Sequence, residues 1–119
     1  MWSRSRWCRA AAVAAPIKVA VVALSTHVLD IERGEPARGV RVELFRGDEL
    51  VGVAETNEEG RIAELSADPL EVGSHRIVFY PPSPFFRRVE LELAIDDAER
   101  HYHVPLLVSS YGCASYRGS

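Results

Sequence analysis

The sequence predicts an all-β domain, an antiparallel sandwich of seven or eight short strands with at most one short helical turn. Three observations predict it. Apolar and polar residues alternate at period two, most cleanly in VELELAI, where Val89, Leu91, Leu93 and Ile95 share one face and Glu90, Glu92 and Ala94 the other. Turn-forming Gly, Pro, Asn and Asp separate such segments at short intervals. No segment sustains a 3.6-residue period, and no internal repeat is present.

The elements follow in order. Residues 18–24 (KVAVVAL) are β-branched and bounded by Pro16 and the polar Ser25-Thr26-His27, so a strand is expected to give way to a loop there. Residues 40–45 (VRVELF) set Val40, Val42 and Leu44 against Arg41, Glu43 and Phe45. LVGVAET (50–56) follows the turn-like RGDE, and the two segments form a hairpin. HRIVFY (75–80) lies between Gly73 and the proline-rich PPSP. VELELAI, HYHVPLLVS (101–109) and CASYR (113–117) complete the strands, and ELSADPLEVG (64–73) is the place for a helical turn.

A chain of 119 residues forms one domain whose core needs no disulfide staples. The formal charge of −3 is uneven. Arg4, Arg6, Arg9 and Lys18 stand without an acid in the first 18 residues, leaving ten bases against seventeen acids in the rest. So acidic a domain is a poor partner for a phosphate backbone, and no nucleic acid is expected. Cys8 and Cys113 lie near opposite ends, which fits free thiols in a reducing compartment, a long-range bridge being the alternative. Residues 1–17 resemble a signal peptide in their basic start and alanine run, but Pro16 and Lys18 interrupt it. The stretch is too short to span a membrane. The expected organisation is a leader (1–17) and one domain (18–119) in the cytoplasm, with export by the leader as the alternative.

His101 and His103, two apart on a strand, project from one face, while Tyr102 and Val104 turn toward a core. Such a pair could begin a metal site with His27 as third nitrogen, but no nearby Cys, Asp or Glu completes a ligand signature. Ordinary hydrogen-bonded histidines are the plainer reading. His27 alone reads as a polar residue capping a strand end, and Arg61, after the turn TNEEGR shaped by Asn57 and Gly60, as a solvated charge.

Taken together, STHVLD, TNEEGR and the terminal HYHVPLLVSSYGCASYRGS resemble, in order and spacing, the 5-hydroxyisourate hydrolases, the transthyretin-like enzymes of urate breakdown. The resemblance covers residues 18–119. It implies a transthyretin-like sandwich assembling as a homotetramer, a dimer of dimers with sites in the channel between dimers, acting on a small-molecule substrate without cofactor or metal. Residue by residue it implies catalytic roles for His27, Arg61, His103 and Ser119. Substrate-binding or pocket roles fall to His101, Tyr116, Arg117 and Gly118, with Tyr116 anchoring the tail by packing and Gly118 allowing a close turn. The related hormone carriers lack the terminal tetrapeptide.

Three departures stand out: Ser110 where the family has proline, Cys113 where it has an aromatic, and a shortened YPPSPFFRRVE connection where it has a short helix. They leave two alternatives, a relative acting on another cyclic ureide or amide and a non-catalytic ligand carrier.

Overall fold

The computed structural model describes residues 24–118 apart from Ala67 and Ala98. The leader, most of the expected 18–24 strand and Ser119 lie outside the described residues. The described chain is all-β, with ten strands of which seven are three residues or longer. They are β1 (Leu24–Asp30), β2 (Glu35–Pro36), β3 (Arg41–Arg46), β4 (Glu49–Glu55), β5 (Arg61–Ile62), β6 (Gly73–Phe79), β7 (Val89–Ile95), β8 (Tyr102–His103), β9 (Leu106–Val108) and β10 (Cys113–Ser115). One sheet runs β4-β3-β6-β7, all antiparallel. In the other, β1 is central, with β8 and β9 along one edge, β2 and β5 along the other, and β10 outside β9.

The expected hairpin forms between β3 and β4, turning at Gly47 with a bulge at Leu44/Phe45. Alternation along β7 also holds, with every apolar residue of its inner face at least half-buried and Glu90, Glu92 and Ala94 exposed. Between the sheets, Leu24, Val28, Val42, Leu44, Ile77, Phe79 and Leu106 are fully buried and form the centre of the core. Burying a side chain of this class contributes roughly 1.5–3 kcal/mol each.

Several expectations are corrected. His27 lies within β1, not at a strand end. The polar Ser25-Thr26-His27 run is itself alternating, with Leu24, Thr26 and Val28 buried and Ser25 and His27 half-buried on the other face. Thr26 can be buried because its Oγ1 donates to the Val104 carbonyl at 2.6 Å. Nor does 64–73 hold a helical turn among its described residues. Leu65 donates its N–H to the Leu24 carbonyl (2.9 Å), and Leu65 and Leu70 both plug the core, which keeps the segment extended. The 101–109 strand is divided at Val104 and Pro105 into β8 and β9. Its register with β1 nevertheless continues unchanged across the gap, and this pairing is parallel in an otherwise antiparallel fold.

The YPPSPFFRRVE connection (80–90) is built on a side-chain turn at Ser83. Ser83 Oγ accepts from the N–H groups of Phe85 (3.1 Å) and Phe86 (2.9 Å) and donates to the Ser110 carbonyl (2.8 Å). The connection is thereby fastened to the turn between β9 and β10.

Candidate active site

Period-two geometry assembles the site. Ser25 and His27 leave β1 on the same outward face. Arg61 is the antiparallel partner of His27, and His103 the parallel partner of Ser25. Directly paired residues project to one side of a sheet, with Cβ atoms about 4.5–5.5 Å apart in antiparallel pairs. His101, two residues before His103, joins them. Five side chains, four from β1, β5 and β8 and His101 from just before β8, therefore share one patch, although they span residues 25 to 103.

The 57–61 turn presents Arg61. Asn57 Oδ1 accepts from the N–H groups of Glu59 and Arg61, each at 2.9 Å, and Gly60 takes φ 75°. The turn also holds His27, whose Nε2–H donates to the Glu59 carbonyl at 2.9 Å. A carbonyl only accepts, so the proton of neutral His27 is on Nε2 and its lone pair on Nδ1. Among the described residues no carboxylate pairs with Arg61, which leaves its guanidinium for a ligand.

His103 is half-buried, and its Nδ1 lies 2.8 Å from Ser25 Oγ. Among the described residues its Nε2 has no hydrogen-bond partner, so Nε2 is the nitrogen left to meet a substrate. Burial, then the positive charges of Arg61, His101 and His27, hold its pKa below the ordinary value of 6.5. The ring is a neutral base at pH 7. His101 is exposed, with Nε2 2.9 Å from the same Ser25 Oγ. Ser25 escaped the sequence reading, though its place two residues before His27 on one strand was the signal. Tyr102 and Val104 turn into the core as expected. Among the described residues, no three His, Cys, Asp or Glu side chains are grouped to hold a metal ion.

The tail reaches the site. β10 pairs antiparallel with β9, Ser115 Oγ donates to the Pro105 carbonyl (2.7 Å), and Gly118 N–H donates to the His103 carbonyl (2.7 Å). Two expected roles change. Gly118 does not have positive φ; it is needed because its α-carbon packs against the His103 imidazole. Tyr116 is 58% exposed and does not anchor the tail within one chain; the backbone pairing does. Arg117 is exposed beside it, and both line a groove against Leu91 and Leu93 of β7. Ser119 lies outside the described residues. Cys113 is half-buried, and burial pushes its thiol pKa up, which favours the protonated thiol.

Known proteins share this arrangement of chain. The 5-hydroxyisourate hydrolase 2 of Rhizobium meliloti is 38% identical over 114 residues, covering 81% of this chain and 95% of that protein. The structure of Klebsiella pneumoniae 5-hydroxyisourate hydrolase superposes with TM-score 0.75 at 37% identity, over 82% of this chain and 99% of that one. An (S)-allantoin synthase structure matches with TM-score 0.70 and 31% identity, over 87% of this chain and 46% of that one. Residues 24–118 match the HIUase/Transthyretin family along almost the whole described sandwich, and the chain belongs to that family.

Proposed function

We propose that the protein hydrolyses 5-hydroxyisourate to 2-oxo-4-hydroxy-4-carboxy-5-ureidoimidazoline in urate breakdown. Water adds to the C6 carbonyl and the N1–C6 bond breaks. The observation that carries this reading is the convergence of His27, Arg61 and His103 on one sheet face, with Gly118 of the tail seated on His103. The relatives bearing this activity in their names support it.

Each group has a task suited to its chemistry. His103, neutral and with no hydrogen-bond partner at Nε2 among the described residues, takes the proton of the attacking water. His27 works with it in proton transfer through Nδ1, the nitrogen its Glu59 bond leaves open. Arg61 offers a planar fork to the carbonyl and amide edges of the ring and stabilises the oxyanion as it develops. His101 and Arg117 border the substrate, and the task proposed for the Ser119 hydroxyl is hydrogen bonding to water or substrate.

The reading extends to a homotetramer, a dimer of dimers. Among the described residues β7 and β10 end their sheets with unpaired edges, and a groove of ≈ 320 Å³, lined by Leu91, Leu93, Val104 and Tyr116, lies between them. Open edges of this kind favour pairing with another copy. Sedimentation of the purified protein tests this, and a monomer at micromolar concentration would refute it.

The activity is tested by following ultraviolet decay of freshly generated 5-hydroxyisourate against its spontaneous decay. A large acceleration is expected, lost in His103→Asn and on removal of residues 116–119. No acceleration by the folded tetramer sinks the proposal.

A further inference from the structure

Ser25 stands between the two histidines of the His-x-His pair, 2.9 Å from His101 Nε2 and 2.8 Å from His103 Nδ1. A hydroxyl has one hydrogen to donate, so at least one of these contacts needs an imidazole N–H as donor. Two patterns satisfy both contacts with neutral rings and use the serine proton. In one, His103 Nδ1–H donates to Ser25 Oγ, whose O–H donates to His101 Nε2. In the other both bonds run in reverse, and His103 carries its proton on Nε2. The two differ by a shift of protons along one hydrogen-bonded chain.

The fold holds this chain rigidly. The Ser25 carbonyl accepts from Val104 N–H at 2.9 Å, and the next residue, Thr26, donates to the Val104 carbonyl. Both bonds go to Val104, the residue after β8, and tie it to β1 just beyond the hydroxyl. Gly118 closes on the His103 ring and limits its rotation. The chain also has a direction, since His103 is half-buried and His101 exposed.

We propose that Ser25 relays protons between His103 at the substrate and His101 at the solvent. The proposal rests on His103 as proton acceptor. In the attack step an O–H bond of water breaks and a bond to His103 Nε2 forms. The Nδ1 proton passes to Ser25 Oγ while the serine proton passes to His101 Nε2. His101 then releases its Nδ1 proton to solvent, so one proton enters the chain and one leaves. His103 is left neutral with a proton on Nε2, ready to be given to the leaving ring nitrogen. The reverse shift, fed by a proton taken up at His101, resets the site. One imidazole thus serves as base and then as acid.

The groups facing this chain are His27 and Arg61, whose charges act on His103 together with that of His101. The test is a proton inventory of the initial rate at saturating substrate, in mixtures of H2O and D2O. The wild-type enzyme should give a bowed inventory, because more than one proton moves. Ser25→Ala should lower kcat on the order of tenfold, part of the ~10²–10⁴ that acid–base catalysis supplies, with KM nearly unchanged and a linear inventory. Ser25→Thr, which keeps the hydroxyl on a residue suited to a strand, should restore most of the rate. In ¹⁵N spectra of the resting protein, Ser25→Ala should also change the proton distribution on His103. A linear wild-type inventory overturns the relay without any variant. So does Ser25→Ala at wild-type kcat, or a loss in it that leaves the His103 spectrum unaltered and that Ser25→Thr does not restore. His103→Asn at wild-type rate would instead remove the base assignment beneath it.

Discussion

Gly118 lies with its α-carbon against the imidazole of His103. A Cβ at this position would fall 2.6 Å from His103 Cδ2 and 3.1 Å from its Cβ. The ring cannot retreat freely, because Ser25 holds its Nδ1. Gly118→Ala must therefore displace either the His103 ring or the tail. The expected loss in kcat/KM is roughly 10- to 100-fold, or about 1.4–2.7 kcal/mol of transition-state stabilisation. Its melting temperature should stay close to wild type, since the tail lies outside the core. Steady-state kinetics with a thermal melt check this, and wild-type turnover would remove the tail from the site.

The lowered pKa of His103 fixes the sign of a pH effect. The unfolded chain, with an ordinary histidine near 6.5, binds more protons than the native state just below that pH. Stability from this group is thus complete above about 6.5 and is lost as pH falls through the folded value. Activity that needs the neutral ring should persist below pH 6.5 before its acid limb. After burial, the Arg61 charge is the largest cause of the shift, so Arg61→Gln should raise the His103 pKa. An NMR titration of His103 reads this directly, and an unmoved midpoint would show that the Arg61 charge has no part in the shift.

Legibility in the sequence followed the range of the interaction. The 57–61 turn could be read because Asn57 and Gly60 act within their own segment, and β7 because its alternation is unbroken. His27 was misplaced since three polar residues in a row look like a strand end, and only burial on both sides shows that Thr26 faces inward. Glu32 had no local signal, and Ser25 only its spacing of two from His27. Each meets partners about 80 residues away, across the parallel β1–β8–β9 register that no period reveals. The roles of Gly118 and Tyr116 depend on packing, which a terminal tetrapeptide does not disclose.

Glu32 explains how the chain accommodates Ser110. Its Oε1 accepts the Ser110 N–H at 2.8 Å and its Oε2 the Ser110 hydroxyl at 2.9 Å. One carboxylate thus clamps the turn that leads into β10 and the tail. The pair is exposed, so the clamp is modest, and Glu32→Ala should cost on the order of 1 kcal/mol. For a domain of this size that is a fall in melting temperature of about 4–8 °C. Ser110→Pro removes both donors and should cost about as much, and the two substitutions together little more than either alone. A double-mutant cycle by thermal melts checks this, and simple additivity would mean the clamp contributes nothing.

Gly60 is the most constrained residue of the site's framework. Its φ of 75° is a conformation that side-chain-bearing residues rarely adopt, and a Cβ there would meet the Val28 carbonyl at 2.5 Å and Pro36 Cβ at 2.9 Å. Gly60 also accepts the Val28 N–H through its carbonyl at 2.7 Å. Strain and collision act together, so Gly60→Ala should destabilise the fold by roughly 2–4 kcal/mol. The effect should not stop at stability. The same turn positions Arg61 and supplies the Glu59 carbonyl that sets the His27 tautomer, so a displaced turn releases both groups. At a temperature where Gly60→Ala is still folded, kcat should fall and the ¹⁵N spectrum of His27 should show a proton shared between both nitrogens. A variant that is less stable yet retains wild-type kcat and an Nε2-protonated His27 would show that the turn holds the fold together without setting up the chemistry.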